Sequence, residues 1–273
     1  MDNLSGKDMR LVPDYASGER FLELLLDLGE MMLQSGAEIG RVEDTLSRLA
    51  RAYGAIPDVY VIVFSIVVTL RFTGNDTGKN TSAGSISITQ TRRVDDRDSI
   101  DFMRLDQLND LSRRCCRQPV ALDKLSGELA RIHKGKGNVR YLLLGSMMGA
   151  FSFSVFFGGS VLDGLAAALF SVLIVFIQNS LGRYSVNRIL YTMIVSAIVG
   201  IGIGILCRAA PVFNRPMVMI GDIMLLNPGV TMINAVREMM VGNTISGEIR
   251  LIESTTWALA LAAGFMLAIH LTA

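Results

Sequence analysis

From Tyr141 onward the chain runs in long apolar blocks separated by short polar joints, whereas before it apolar positions recur singly, at helical or alternating spacing. In the first half, Leu22, Leu25, Leu26, Gly29 and Met32 share one face of a helix expected at about 18–34, with Glu19, Glu23, Asp27 and Glu30 on the others. Gly36 ends it. Ile39, Val42, Leu46, Leu49 and Tyr53 then mark the buried face of a second helix, closed by Gly54. Val59–Phe72, VYVIVFSIVVTLRF, is apolar but shorter than the roughly 20 residues of a membrane helix, and rich in β-branched and aromatic residues. It predicts one or two buried strands, turning near Ser65. Gly74–Gly84 is a loop by composition, and Ser85–Thr91 alternates as a further strand. Helices follow at about 98–117, with Phe102, Leu105, Leu108 and Leu111 inward, and at about 122–133. These elements make an α+β domain over 18–139, preceded by a flexible tail, 1–17.

The second half, 140–273, reads as a membrane domain of about five helices, at 141–157, 162–181, 189–207, 217–240 and 251–272. Charge supports the division. Residues 1–140 carry 20 Lys/Arg and 20 Asp/Glu, and residues 141–273 only 6 Arg, no Lys and 5 acids. The basic linker His133–Arg140 places the near side in the cytoplasm. Arg131, Lys134, Lys136, Arg140, Arg183, Arg188, Arg237 and Arg250 fall on that side, against Arg208 and Arg215 on the other. The expected protein is therefore multi-pass, with a cytoplasmic N-terminal domain and the C-terminus outside. A net charge of +1 gives no case for nucleic acid as a partner. The three cysteines show neither metal spacing nor a disulfide framework, and the first 30 residues have no signal-peptide core. No metal, cofactor or catalytic motif is expected.

The chemistry concentrates in Met217–Met240, MVMIGDIMLLNPGVTMINAVREMM. This block is apolar enough to enter a bilayer, yet Pro228-Gly229 breaks it in the middle. Asp222 and Asn227 lie before the break or at it, and Asn234 and Arg237 after it. Broken helices with polar flanks are how many transporters build a substrate site, and intramembrane ionisable residues point to function. The helix would split into halves of about 217–226 and 230–240. Asp163 starts the second span; Gln178, Asn179 and Arg183 lie near its inner end. The glycines at 145, 149, 158, 159, 200, 202 and 204 are read as helix packing. An intramembrane aspartyl protease would use two such aspartates. Here Met219 stands where its Gly-x-Gly-Asp turn needs the first glycine, and Leu162 where a tyrosine should precede the other aspartate.

Two stretches, SGAEIGRVEDTLSRLARAYG and NPGVTMINAVREMMVGNTISGEIRLIES, resemble the signatures of the threonine/serine exporter family, as does the order of soluble domain and then five spans. Gly36, Ala37, Glu38, Arg41, Val42, Glu43, Asp44 and Gly54 fall in the first pattern; Pro228, Gly229, Asn234, Gly242, Gly247 and Arg250 fall in the second. The resemblance implies an exporter of small amino acids or a related small carboxylate such as succinate, driven by the proton motive force, in a bacterial inner membrane. It further implies the split form, working with a smaller multi-span protein as second subunit or in a homo-oligomer. On that basis Asp222, with Asp163, would carry the coupling proton. Amides after Pro228-Gly229 would hold the substrate carboxylate. Asn227, Asn234 and Asn179 would orient it, and Arg237 or Arg183 would supply positive charge. Glu38, Arg41, Glu43 and Asp44 would line a cytoplasmic vestibule or hold the domain to the membrane half. The alternative from another class is a membrane-anchored sensor or scaffold, whose cytoplasmic domain binds a ligand or protein.

Overall fold

The computed structural model describes residues 15–72, 86–94, 100–135, 139–181 and 187–273; the tail through residue 14, the loop expected at 74–84 and Arg183 lie outside these. The chain divides into two compact units, Met1–Lys136 with Met240–Ser246, and Gly137–Met239 with Gly247–Ala273.

The first unit contains α1 (Tyr15–Gln34), α2 (Ile39–Ala52), β1 (Ile56–Ile62), β2 (Ser65–Phe72), β3 (Ile86–Arg93), α3 (Phe102–Arg117) and α4 (Leu122–Lys134). The three strands form an antiparallel meander in chain order. Val59–Phe72 thus makes two strands, the first starting earlier, at Ile56. Their turn falls at Val63–Phe64 because Ile62 pairs with Ser65. Helix α1 is buried nearly all round. Its Gly18 and Gly29 lie against Ile88, Phe72 and Ile66 of the sheet, while other faces meet α2, α3 and α4. This explains its run of leucines: a helix covered on several sides needs apolar residues beyond one stripe. Both α1 and α2 end in a left-handed glycine, Gly36 (φ 89°) and Gly54 (φ 83°). Beyond each, a further amide reaches back five residues, Ala37 to Met32 and Ala55 to Ala50, closing the helix end.

Two local expectations change. Tyr15–Ser17 belong to α1 rather than to a tail. Phe102 is 63% exposed rather than inward, because Asp101 caps the helix at that point and Leu105, Leu108, Leu111 and Cys115 take the buried face.

The first signature owes part of its pattern to this fold. Glu43 accepts the Val61 amide of edge strand β1 at 2.9 Å, which satisfies a donor that the sheet leaves unpaired. Asp44 accepts from Arg48 at 2.8 Å, the expected i,i+4 pair. Glu43→Ala is expected to remove about 1–2 kcal/mol of stability, a charged hydrogen bond to backbone. The readout is hydrogen exchange at Val61; unchanged protection there would sink the assignment.

The second unit contains α5 (Val139–Phe156), α6 (Val161–Leu181), α7 (Arg188–Ala209), α8 (Arg215–Leu226), α9 (Gly229–Met240) and most of α10 (Thr244–Leu271). Four of these helices are long and apolar enough to cross a membrane, and five spans result if α8 and α9 form one bent span. Small residues set the packing. A Cβ at Gly221 would lie 2.6 Å from the Ala150 carbonyl and 2.9 Å from Ala167, and one at Gly200 would lie 2.6 Å from Ala268. Gly200, Gly202 and Gly204 are therefore packing positions, as expected. Gly221→Val should destabilise the purified protein by about 1–3 kcal/mol through overpacking, seen as a lower thermal midpoint in detergent.

Candidate functional site

Helix α8 starts after Asn214 with Pro216 in its first turn, where a proline's missing amide is no loss. Two capping arrangements hold this end. The Asp163 carboxylate, 2% exposed, accepts from the Ser160 amide (2.8 Å) and hydroxyl (2.7 Å) and from the Asn214 amide (2.6 Å). Arg215 donates to the Ala268 and Thr272 carbonyls, at 3.4 Å each, where α10 ends. Asp163 thus ties the start of α6 to the start of α8, with Ser160 and Asp163 spaced as a capping box.

Further along, Gly221 brings α8 against α5 and α6, and Asp222 follows it into the interior at 0% exposure. Among the described residues neither carboxylate oxygen of Asp222 has a hydrogen-bond partner. Ser154 of α5, also 0% exposed, lies beside Gly221, and its hydroxyl likewise has no partner among the described residues. An unpartnered buried carboxylate is expensive when ionised, so its retention needs a reason other than stability. Sequence reasoning passed over Ser154; the available signal was a small polar residue one turn after Ala150, on the face that α8 approaches.

The chain then breaks. Asn227 ends α8 in an extended conformation (φ −69°, ψ 130°), as a residue before proline should. The Pro228 carbonyl accepts the first bond of α9, from Met232 at 3.0 Å, and the two helix axes differ by 50°. The Gly229 amide is turned back to the Asn227 carbonyl at 2.8 Å, so this expected donor is already engaged. The amides of Val230 and Thr231 are the ones left at this helix start. The other expected site residues divide by exposure. Asn227, Arg237 and Asn179 are exposed, and Asn234 is half-buried; Asp222, like Asp163, lies inside.

One feature of α9 and α10 was not foreseen. Glu238 and Arg250 form an ion pair of 3.0 Å with side chains only 3% and 6% exposed. Gly247, one turn before Arg250, meets α9 closely: a Cβ there would lie 2.7 Å from the Ala235 carbonyl. Helix α10 starts at Thr244, well before the expected 251, because Arg250 is buried inside the unit rather than marking the membrane surface. The legible signal was an acid and a base on either side of the Gly242 turn. Among the described residues no cluster of three or more His, Cys, Asp or Glu side chains is placed to hold a metal ion.

Residues 23–272 match the family model described as threonine/serine exporter, ThrE. No curated protein and no solved structure matches the chain significantly.

Proposed function

Because the chain belongs to the threonine/serine exporter family, a family of multi-pass membrane transporters, we propose that it is a subunit of a secondary exporter driven by the proton motive force. The observation that carries this is Asp222: fully buried, with no hydrogen-bond partner at either oxygen among the described residues, and five residues before a break in its own apolar block. A carboxyl so placed can take up and release a proton without disrupting any contact, which is what a coupling group needs. Asp163, with its oxygens occupied by capping bonds, supports the site by fixing the start of α8.

The substrate is a small molecule with a carboxylate: threonine, serine or a related acid such as succinate. The Val230 and Thr231 amides at the start of α9 face such an anion with the positive end of the helix, and Asn227 and Asn234 flank them. Arg237, Arg183 and Asn179 would guide the anion towards this end of the break. Alternating access is commonly built from two related membrane halves, and a separate multi-span protein as the second half is part of this proposal. The excess of Lys and Arg around 131–140 and 183–188 supports a cytoplasmic location for that side and for the N-terminal unit, in a bacterial cell, with the C-terminus outside.

The test is efflux from cells lacking this protein, preloaded with threonine, serine or succinate. Cells are complemented with this chain alone or with the second subunit, with and without a protonophore. Protonophore-sensitive efflux of one solute, requiring both subunits, supports the reading; no efflux of any, despite confirmed membrane expression, overturns it.

A further inference from the structure

The α2–α3 surface of the N-terminal unit holds a feature to which the proposed function assigns no ligand. Arg41, Asp44, Thr45 and Arg48 recur along one face of α2, and Asn109, Ser112, Arg113, Cys116 and Arg117 along one face of α3. The two faces line a cleft of about 410 Å³, within the range of roughly 300–1,000 Å³ typical of small-ligand sites. Beneath it, Leu46, Leu49, Leu108 and Leu111 are buried, so both walls belong to a packed scaffold.

The charge of this cleft is unlike that of the surrounding surface. Several arginines elsewhere on the unit meet carboxylates: Arg114 pairs with Asp110 and Glu128, Arg92 with Asp27 and Glu30, and Arg20 with Asp123. In the cleft only Arg48 does so, with Asp44 at 2.8 Å. Arg41, Arg113 and Arg117 make no ion pair with a described residue. Cys116 adds no negative charge, because burial pushes its thiol up. Four guanidiniums face one carboxylate, an excess of three positive charges in one concavity, which focuses the local field on an anion.

We propose that this cleft binds a phosphate-bearing anion. A single carboxylate offsets one of the three excess charges, whereas a phosphate carries close to two charges and a diphosphate more. The planar arginine fork also matches phosphate oxygens in pairs. Asn109 and Ser112 add neutral donors between the arginines. The same chemistry is offered by a soluble phosphorylated metabolite and by the headgroup of an anionic phospholipid.

The test uses the full chain in nanodiscs of phosphatidylcholine, titrated with pyrophosphate by calorimetry. Saturable binding is expected, weakened roughly tenfold or more in Arg113→Glu/Arg117→Glu, the loss of about one charge-assisted contact. Arg51→Glu, an exposed change on α2 outside the cleft, should bind as wild type. If the double variant does not fold, Arg113→Gln/Arg117→Gln replaces it. In parallel, nanodiscs containing phosphatidylglycerol are compared by hydrogen exchange over α2 and α3. Lipid-dependent protection that the double variant loses assigns the site to a headgroup, and pyrophosphate binding without such protection assigns it to a soluble ligand. Absence of both, or binding that survives loss of the arginines, overturns the proposal.

Discussion

Asp222→Asn is expected to abolish proton-driven export while leaving the protein folded and at normal level in the membrane. Asparagine keeps the shape of the side chain, and the fully buried carboxylate has no hydrogen-bond partner among the described residues to lose. Packing around it, by Gly221 against Ala150 and by Val218 and Met219 in the apolar cluster, is untouched by the change. Export against a gradient should fall by roughly tenfold or more, because the variant has no ionisable group left at this depth in the span. Downhill exchange of substrate should persist, since the break at Asn227–Gly229 is intact, and it should no longer respond to a protonophore. Export at the wild-type rate from normal protein levels would remove Asp222 from the coupling role. A protein that fails to accumulate would instead make the residue structural.

Separating Glu238 from Arg250 should give the largest loss of stability of any single substitution considered. Each side chain is almost wholly removed from solvent, so deleting one leaves the other's charge buried without its ion-pair partner, at about 3–5 kcal/mol. Glu238→Gln and Arg250→Met should each lower the thermal midpoint sharply. The double change Glu238→Leu/Arg250→Met should recover most of the loss, because buried pairs replaced together by apolar residues are often neutral in stability. Thermal unfolding of the four proteins in detergent makes the cycle complete. Single variants as stable as wild type would mean that the pair is not buried in the folded protein. A stable double variant without export would point to work done by the pair beyond holding α9 to α10.

How far this architecture could be read from residue order depends on the kind of interaction. Periodicity located an inward face on each of α1 and α2, and composition gave the β character of Val59–Phe72 without deciding between one strand and two, as well as the break at Pro228; each depends on residues close in the chain. Gly36 and Gly54 were recognisable because a left-handed helix end favours one residue type. Glu43 was legible as part of a signature but not as a bond to β1, because the unpaired edge donor appears only when the sheet is assembled. Arg250 was counted as a surface charge for the same reason: its partner lies across the Gly242 turn, where no helical spacing relates the two. Asp163 and Asp222 both read as acids of the apolar half, although Asp163 starts its span. The capping bonds to Ser160 and Asn214 give Asp163 a structural task that Asp222 lacks.

The broken span also has a mechanical meaning. Helix α8 is clamped at its far end, through Asn214 to Asp163 and through Arg215 to the end of α10, and is wedged midway by Gly221. Helix α9 is clamped at the opposite end, by Glu238 to Arg250. Pro228 has a fixed φ and no amide to bridge the two, so relative rotation concentrates in Asn227 and Gly229. Taken as one bent span, α8 and α9 are two levers on one fulcrum, about one and a half helical turns, or roughly 8 Å, from Asp222. Under the coupling role proposed for Asp222, tilting α9 would change access to the carboxylate without unwinding the helix that carries it.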